Sequence, residues 1–197
     1  MRLFVAVNPP GTALQELVDA AAELRGMSGA DRLRWSDVAG WHLTLAFLGE
    51  VPAADIPALA EEIGRVPGEH GVHRLRLEGG GCFGDKVLWA GVGGETWALR
   101  RLADGVRGAV EAAGIESDQH GFHPHVTLAR AGSSHGTRRA VQRLAAGELR
   151  LMAAALEGFR GSDWEAAEVH LMRSEMGYGP ARYTSVRSWP LARWTET

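Results

Sequence analysis

The chain has little cysteine and no excess of positive charge. Each of these features excludes particular kinds of site or binding function. Cys82 is the single cysteine among 197 residues, which excludes an intramolecular disulfide and a cysteine-based zinc site. Lysine and arginine together number 21 against 24 acidic residues, for a formal net charge of −3. A protein that contacts many phosphates needs a basic surface, so this balance excludes a broadly basic nucleic-acid binder. It still allows an enzyme that binds one phosphate in a local pocket.

Long apolar runs are also missing. The N-terminal apolar run, Leu3 to Val7, is too short for a secretion signal, and no stretch approaches the ~18 apolar residues of a membrane span. We therefore expect a soluble, cytoplasmic and monomeric protein, without membrane association or an obligate protein partner. The length and the hydrophobic content of 45% predict one globular domain over residues 1–197, or a close pair of small lobes.

Hydrophobic periodicity predicts an alternation of strands and helices. Strands are predicted over 2–7, 33–35, 41–48, 73–78, 86–92, 124–131, 149–159, 168–173 and 183–188, and helices over 12–24, 56–66, 96–113 and 137–146. Several neighbouring strands are joined too tightly for parallel crossovers, so we expect an α+β fold with mainly antiparallel pairing. We interpret Gly79-Gly80-Gly81 as a flexible turn and the residues from Pro190 onward as a loosely held tail.

A five-residue motif occurs twice. The sequence His42-Leu43-Thr44-Leu45-Ala46 recurs as His125-Val126-Thr127-Leu128-Ala129, and each copy lies in a predicted strand. Side chains alternate between the two faces of a strand, so the histidine and threonine of each copy share one face and the apolar residues take the other. Two such strands, side by side or related by an approximate two-fold axis, would bring two imidazoles and two hydroxyls to one cavity.

This combination of groups suits phosphodiester hydrolysis without a metal. An imidazole titrates near pH 6.5, so a neutral one can take a proton from water while a protonated one gives a proton to the leaving alkoxide. The two threonine hydroxyls can hydrogen-bond the non-bridging phosphate oxygens. The near symmetry of the motifs leaves open which histidine is the acid and which the base. We predict no cofactor and no metal, although His120, His123 and His125 have a spacing compatible with ligation, because no carboxylate or cysteine cluster accompanies them.

The paired motifs resemble those of the two-histidine (2H) phosphoesterases. Together, RLFVAV at the N-terminus, WHLTLAFLGE and FHPHVTLAR are similar to the bacterial and archaeal RNA 2′,3′-cyclic phosphodiesterases, formerly called 2′-5′ RNA ligases. The similarity runs from Arg2 to about Tyr183. It implies a bilobed α+β fold with a pseudo-two-fold axis and a cleft to which each lobe contributes one motif.

The resemblance also implies residue roles and a reaction. His42 matches the proton donor, His125 the proton acceptor, and Thr44 and Thr127 the phosphate-binding hydroxyls. The implied reaction opens a terminal 2′,3′-cyclic phosphate of RNA to a 2′-phosphomonoester, and the reverse 2′-5′ ligation is allowed by microscopic reversibility. Two alternatives stay open: the same chemistry on a small cyclic nucleotide or ADP-ribose cyclic phosphate, and a non-catalytic module that binds a nucleotide or RNA.

The residues that flank the motifs are predicted either to contact the substrate or to pack in the fold. Simple alternation puts Arg130 on the face opposite His125, and contact with substrate is weighed equally against a surface ion pair. The same alternation predicts that Phe47 packs in the core. Packing is also predicted for Tyr183 and Trp35, while Arg34 is a candidate for the mouth of the cleft. Positive charge is concentrated near the second motif. The segment 118–143 contains Asp118 as its single acidic residue and four arginines, Arg130, Arg138, Arg139 and Arg143.

Overall fold

The structure, a computed structural model, describes residues 1–116, 121–131, 138–175 and 181–193, with the backbone alone for 138–146. The helices in this part of the chain are α1 (Gly11–Arg25), α2 (Ile56–Arg65), α3 (Thr96–Ala112) and α4 (Arg138–Ala155). The strands are β1 (Arg2–Val7), β2 (Leu33–Trp35), β3 (Leu43–Glu50), β4 (His73–Phe83), β5 (Val87–Gly94), β6 (His125–Ala131), β7 (Trp164–Ala166), β8 (Glu168–Glu175) and β9 (Arg182–Pro190). None of the described helices combines the length and apolar composition of a membrane span.

The strands form two sheets with antiparallel pairing. One sheet has the order β3-β1-β8-β9 and the other the order β2-β6-β5-β4-β7. Helices pack against both sheets, and among the described residues one large apolar core runs through the two halves, with a second, small cluster at Phe4, Ala6 and Met172. The predicted α+β class with antiparallel sheets is confirmed.

The same order of elements occurs twice along the chain. If the short strand β2 is left aside, the run β1-α1-β3-α2 is followed, after β4, by β5-α3-β6-α4, and in each run the first strand pairs antiparallel with the strand that carries the His-x-Thr motif. The motif strand β3 lies at the edge of its sheet, and β6 lies one strand from the edge of the other. Helix α3 packs across the molecule on β3, which ties the two halves together.

Two predictions about the second half of the chain are wrong. Residues 149–155 continue α4 rather than forming a strand, because Leu149, Met152 and Leu156 recur at a helical spacing and are all buried. The residues from Pro190 to Ala192 are held in place rather than loose. Leu191 is only 4% exposed and donates its N–H to the Ala167 carbonyl, and Ala192 forms a β-bridge with Gly71.

The glycine run is part of a strand and not a turn. Residues 79–81 lie inside β4, where the register shifts between Leu77 and Gly80 and Gly79 adopts a φ of +62°. A Cβ at Gly80 would meet Leu156, and a Cβ at Gly81 would overlap the ring of Trp89. The glycines therefore bring the backbone of β4 close to large side chains on both sides.

Candidate active site

The two motif strands lie next to each other. Cα atoms of β3 and β6 approach within 8 Å, although the strands belong to different sheets. His42 immediately precedes β3 and His125 is the first residue of β6. The imidazoles are close enough for charge on His125 to contribute to lowering the pKa of His42. The two motifs and their imidazoles therefore lie close together.

A bulge at the same place in each motif changes which side chains face the site. In β3, Thr44 pairs with Ala6 and Phe47 with Phe4; in β6, Thr127 pairs with Trp89 and Arg130 with Val87. Because the partner residues are two apart, Thr44 shares a face with Phe47, and Thr127 shares one with Arg130. Each register shift absorbs one extra residue, Leu45 or Leu128.

Simple alternation therefore gave the wrong face for Phe47 and Arg130. Phe47 is 50% exposed instead of packed in the core, and its ring centroid lies 6.3 Å from that of Phe4. Arg130 lies on the His125 face, where its charge contributes to lowering the pKa of His125. The bulges place these two residues at equivalent positions, five residues after each motif histidine.

Aromatic rings and a backbone carbonyl hold His42. Its ring centroid lies 4.6 Å from that of Phe4 and 5.1 Å from that of Tyr183, which meets it edge-on. Hydrogen bonding to the Gly40 backbone acts to raise the pKa of the His42 ring. Burial lowers the pKa of His42 to about 4, against the opposing effect of that hydrogen bond. Tyr183 packs as predicted, since it also contacts Phe4.

His125 is held in a similar way. Its Nδ1 lies 2.7 Å from the carbonyl oxygen of His123. His123 precedes His125 by two residues, just as Gly40 precedes His42 by two residues. A carbonyl only accepts, so Nδ1 carries the proton and Nε2 of a neutral His125 has the free lone pair. Phe83 meets the ring edge-on at 4.8 Å. Burial lowers the pKa of His125, and the charges of His123 and Arg130 lower it further.

The cationic part of the site includes an arginine opposite Arg130. Arg34 of β2 is its direct cross-strand partner, and both side chains are exposed. Within the described residues neither of the two forms an ion pair with a carboxylate. Trp35, next to Arg34, packs as predicted: its Nε1 donates to the Ala30 carbonyl and the Arg25 guanidinium lies over its ring.

Comparison with known proteins identifies the family. Residues 10–177 match the family model of the 2′-5′ RNA ligase superfamily. The chain belongs to this superfamily. Its full length is 28% identical to the RNA 2′,3′-cyclic phosphodiesterase of Escherichia coli K12, with 98% of this chain and 97% of that protein covered. A 94-residue segment is 37% identical to the RNA 2′,3′-cyclic phosphodiesterase of Aeropyrum pernix, covering 46% of this chain and about half, 52%, of that relative.

Solved structures of the superfamily agree with the fold. The crystal structure of E. coli LigT complexed with 3′-AMP has a TM-score of 0.75 to this chain at 26% identity, and 98% of each chain is covered. The crystal structure of TT0787 from Thermus thermophilus has a TM-score of 0.73 at 28% identity, with 97% of this chain and 98% of that one covered. The resemblance inferred from the two motifs is thus confirmed at the level of family and fold.

Several residues of the site in this superfamily member escaped prediction from the sequence. Phe4, Phe83 and Trp89 contact the motif histidines or their neighbours, but each belongs to a strand remote in sequence from the motif it contacts. Once β1 and β3 are paired, simple alternation along β1 is enough to place Phe4 on the same face as Thr44 and Phe47. Trp89 and Phe83 would have required the register of β4, β5 and β6.

Part of the predicted charge cluster lies outside the described residues. Asp118, His120 and His135 are among the undescribed positions, as are the side chains of Arg138, Arg139 and Arg143. Of the three histidines whose spacing is compatible with metal ligation, His120, His123 and His125, the first therefore lies outside the described residues. Within the described ranges, no group of three or more His, Cys, Asp or Glu side chains is placed to hold a metal ion.

Proposed function

We propose that this chain is an RNA 2′,3′-cyclic phosphodiesterase that opens a terminal 2′,3′-cyclic phosphate to a 2′-phosphomonoester. The observation that carries the proposal is the pair of half-buried imidazoles at the starts of the two neighbouring motif strands, with Nδ1 of His125 held by the His123 carbonyl and its Nε2 left free. The names of the E. coli and A. pernix relatives support the same reaction.

In the proposed mechanism His125 is the base and His42 the acid, as the family resemblance implies. His125 Nε2 takes a proton from water, whose oxygen attacks the phosphorus atom. The bond from phosphorus to the 3′ oxygen breaks, and His42 gives its proton to that oxygen. The phosphate stays on the 2′ oxygen, and the two imidazoles exchange protonation states over the cycle.

The other groups of the site stabilise the phosphate. The hydroxyls of Thr44 and Thr127 donate to non-bridging oxygens, where charge grows in the transition state. Arg130 shares a face with Thr127 and binds the same anion by charge-assisted hydrogen bonds. The bound anion also raises the pKa of His42 from about 4, which supplies the protonated acid that the free enzyme disfavours at neutral pH.

The direct test is hydrolysis of an oligonucleotide that ends in a 2′,3′-cyclic phosphate, with EDTA present and the product mapped. We expect a 2′-phosphate end, and we expect His42→Ala and His125→Ala each to lower kcat by at least about 10²-fold while the circular dichroism spectrum is retained. A product with a 3′-phosphate would contradict the regiochemistry. Near-normal turnover by either variant would contradict the pairing of acid and base, and binding without turnover by the unaltered protein would favour the non-catalytic alternative.

A second assay tests the alternative that the substrate is a small molecule. It compares a cyclic mononucleotide and ADP-ribose cyclic phosphate with the oligonucleotide. The uncompensated pair of Arg34 and Arg130 favours the polyanionic substrate. A kcat/KM that is higher for the small molecules than for the oligonucleotide would reverse this assignment of substrate. The reverse ligation is assayed with one RNA that ends in a cyclic phosphate and a second that begins with a 5′-hydroxyl.

A further inference from the structure

A pocket of about 300 Å³ adjoins the candidate active site on the side where β6 begins. Its walls include Glu78, Trp89, Gly91, Arg100, His123 and Pro124. Gly91 is the cross-strand partner of His125, and Pro124 is the residue before it. The pocket is therefore continuous with the surroundings of His125, and its volume lies at the lower end of the range for ligand sites.

The positive charge in this pocket belongs to Arg100. Its Nη1 donates to the Phe122 carbonyl at 2.7 Å, which fixes the guanidinium and leaves its other N–H groups available. Among the described residues, Arg100 forms no ion pair with a carboxylate. His123 is close, because the charge of Arg100 adds to burial in lowering the pKa of that imidazole.

The carboxylate in the pocket is already neutralised. Glu78 Oε2 lies 2.5 Å from Arg76 Nε and 3.6 Å from Arg160 Nη1. Arg76 also pairs with Asp163 at 3.1 Å, so this network holds two guanidinium groups and two carboxylates. Its charges balance, and the charge of Arg100 is left to attract an anion.

We propose that Arg100 and His123 bind the phosphodiester on the 5′ side of the terminal nucleotide of an RNA substrate. This inference rests on the proposed function and specifies its substrate as an oligonucleotide. The ring centroids of His123 and His125 are 6.2 Å apart, so a strand whose terminal phosphate lies at His125 passes close to His123. One phosphate at His125 thus leaves the next within reach of His123 and Arg100.

The chemistry of the two side chains fits a phosphodiester. A guanidinium presents parallel N–H groups to two phosphate oxygens, and a neutral imidazole donates one N–H. Thr96, in the first turn of α3, also lines the pocket, so the positive end of that helix dipole points to the same region. A 2′,3′-cyclic mononucleotide has no 5′ phosphodiester and cannot use these contacts, so the pocket favours RNA over the mononucleotide.

The test compares three substrates: a dinucleotide that ends in a 2′,3′-cyclic phosphate, the same dinucleotide with a neutral methylphosphonate linkage, and the cyclic mononucleotide. In the unaltered enzyme, kcat/KM should be highest for the charged dinucleotide. In Arg100→Gln, the ratio of kcat/KM for the dinucleotide to that for the mononucleotide should fall about tenfold, which is 1.4 kcal/mol. Arg100→Lys keeps the charge but loses the parallel N–H groups, so it should retain more of the ratio than Arg100→Gln and less than the unaltered enzyme.

Arg101→Gln is the matched control. Arg101 follows Arg100 on α3 and is exposed, but its charge acts on His70, away from the pocket. This variant loses the same charge and should keep the substrate ratio. Thermal melting of all three variants checks that the hydrogen bond of Arg100 to Phe122 is not needed for folding.

Two results would overturn the inference while leaving the proposed function intact: equal kcat/KM for the charged and methylphosphonate dinucleotides, or an unchanged substrate ratio in Arg100→Gln. If no substrate is hydrolysed, the proposed function fails. Calorimetric binding of a dinucleotide 2′-phosphate against a mononucleotide 2′-phosphate then decides the pocket separately: tighter binding of the dinucleotide that is lost in Arg100→Gln supports it, and equal binding refutes it.

Discussion

Arg34 of β2 lies directly opposite Arg130 of β6, and within the described residues neither guanidinium has a carboxylate partner. Like charges at directly opposed positions of an antiparallel pair are destabilising. A bound phosphate relieves this repulsion, because each guanidinium then faces an anion instead of a cation. We therefore expect the pair to be unfavourable in the free protein and favourable in a complex with a nucleic-acid end.

Arg130→Gln should therefore weaken substrate binding without weakening the fold. We expect KM for an oligonucleotide with a 2′,3′-cyclic phosphate to rise about tenfold, the effect of losing a charge-assisted hydrogen bond of ~1.5 kcal/mol. The free energy of unfolding should stay equal or rise by up to ~0.5 kcal/mol, because the repulsion is removed. Steady-state kinetics and urea denaturation measure the two quantities.

The salt dependence provides a second measure of the same change. KM rises with salt concentration when cations contact phosphates, and Arg130→Gln should make that rise less steep. Arg187→Gln is the control, since Arg187 is exposed on β9 and lies over the Trp189 ring. An unaltered KM together with an unaltered salt dependence in Arg130→Gln would remove Arg130 from the proposed site.

Periodicity was enough to predict most of the elements, because each relies on local patterns, whereas the meeting of the two motifs was expected from their repetition and from the family resemblance. The bulges at Leu45 and Leu128 were not predictable, since a strand shows its extra residue only against the register of its partner. As a result, alternation assigned Phe47 and Arg130 to the wrong faces. The information needed was the pairing with β1 and β5, which is not local in the sequence.

The prediction for the end of α4 was wrong for a different reason. The apolar run from Leu149 was assigned to a strand, although Leu149, Met152 and Leu156 follow the 3, 4 spacing of a helix and Ala153 to Ala155 favour one. Here the sequence held the signal and the prediction weighed it wrongly. For Gly79 to Gly81, by contrast, composition indicated a turn, and only the contacts with Leu156 and Trp89 explain why a strand tolerates these glycines.

The pH dependence of turnover should report the two half-buried imidazoles, His42 and His125. Burial lowers the pKa of His42 to about 4 and that of His125 below its usual value, so both are mainly neutral in the free enzyme at pH 7. Catalysis needs one protonated and one neutral imidazole, a form that becomes more abundant as the pH falls below 6.5. The bell-shaped profile of kcat/KM, which reports the free enzyme, should have its maximum on the acid side of pH 6.5.

The profile of kcat should lie at higher pH than that of kcat/KM. It reports the complex, in which the phosphate anion raises the pKa of the adjacent imidazoles. Rates measured from pH 4 to 9 at saturating and at low substrate concentrations provide both profiles. A kcat/KM maximum above pH 7 would show that the imidazoles are not acidified in the free enzyme as their burial requires.

Stability should depend on pH through His42. The folded pKa of about 4 lies below the unfolded value near 6.5, so between these values the unfolded chain binds more protons. The free energy of unfolding should therefore fall as the pH is lowered from 6.5 towards 4, with a contribution from His42 of about 2 kcal/mol by pH 4.5. In His42→Gln the decline should be shallower by that amount.

Urea denaturation at pH 7 and at pH 4.5 measures this difference. His170→Gln is a suitable comparison, since the carboxylate of Glu168 partly opposes the lowering of the pKa of His170 by burial. Its effect on the pH dependence should be smaller than that of His42→Gln. If His42→Gln and the unaltered protein lose the same free energy of unfolding between the two pH values, His42 is not held neutral by burial.

The last prediction concerns the close approach of β4 to Trp89. A Cβ at position 81 would overlap Cζ2 and Cη2 of that indole, so Gly81→Ala must displace the ring. Trp89 is the cross-strand partner of Thr127 and meets His123 edge-on at 4.6 Å, so the displacement should reach the candidate site. We expect a loss of ~1–3 kcal/mol in the free energy of unfolding and a lower kcat/KM.

A second substitution separates this clash from the general effect of replacing a glycine. Trp89→Leu removes the atoms that the new methyl group at position 81 would meet, so the double variant should recover part of the stability lost in Gly81→Ala, giving a coupling energy of at least ~0.5 kcal/mol in a double-mutant cycle. Gly108→Ala, at an exposed helical position with no heavy atom near its Cβ, should instead be neutral or stabilising. Additive effects of Gly81→Ala and Trp89→Leu would mean that Gly81 is not required for the placement of Trp89, and that the indole reaches its position beside Thr127 for another reason.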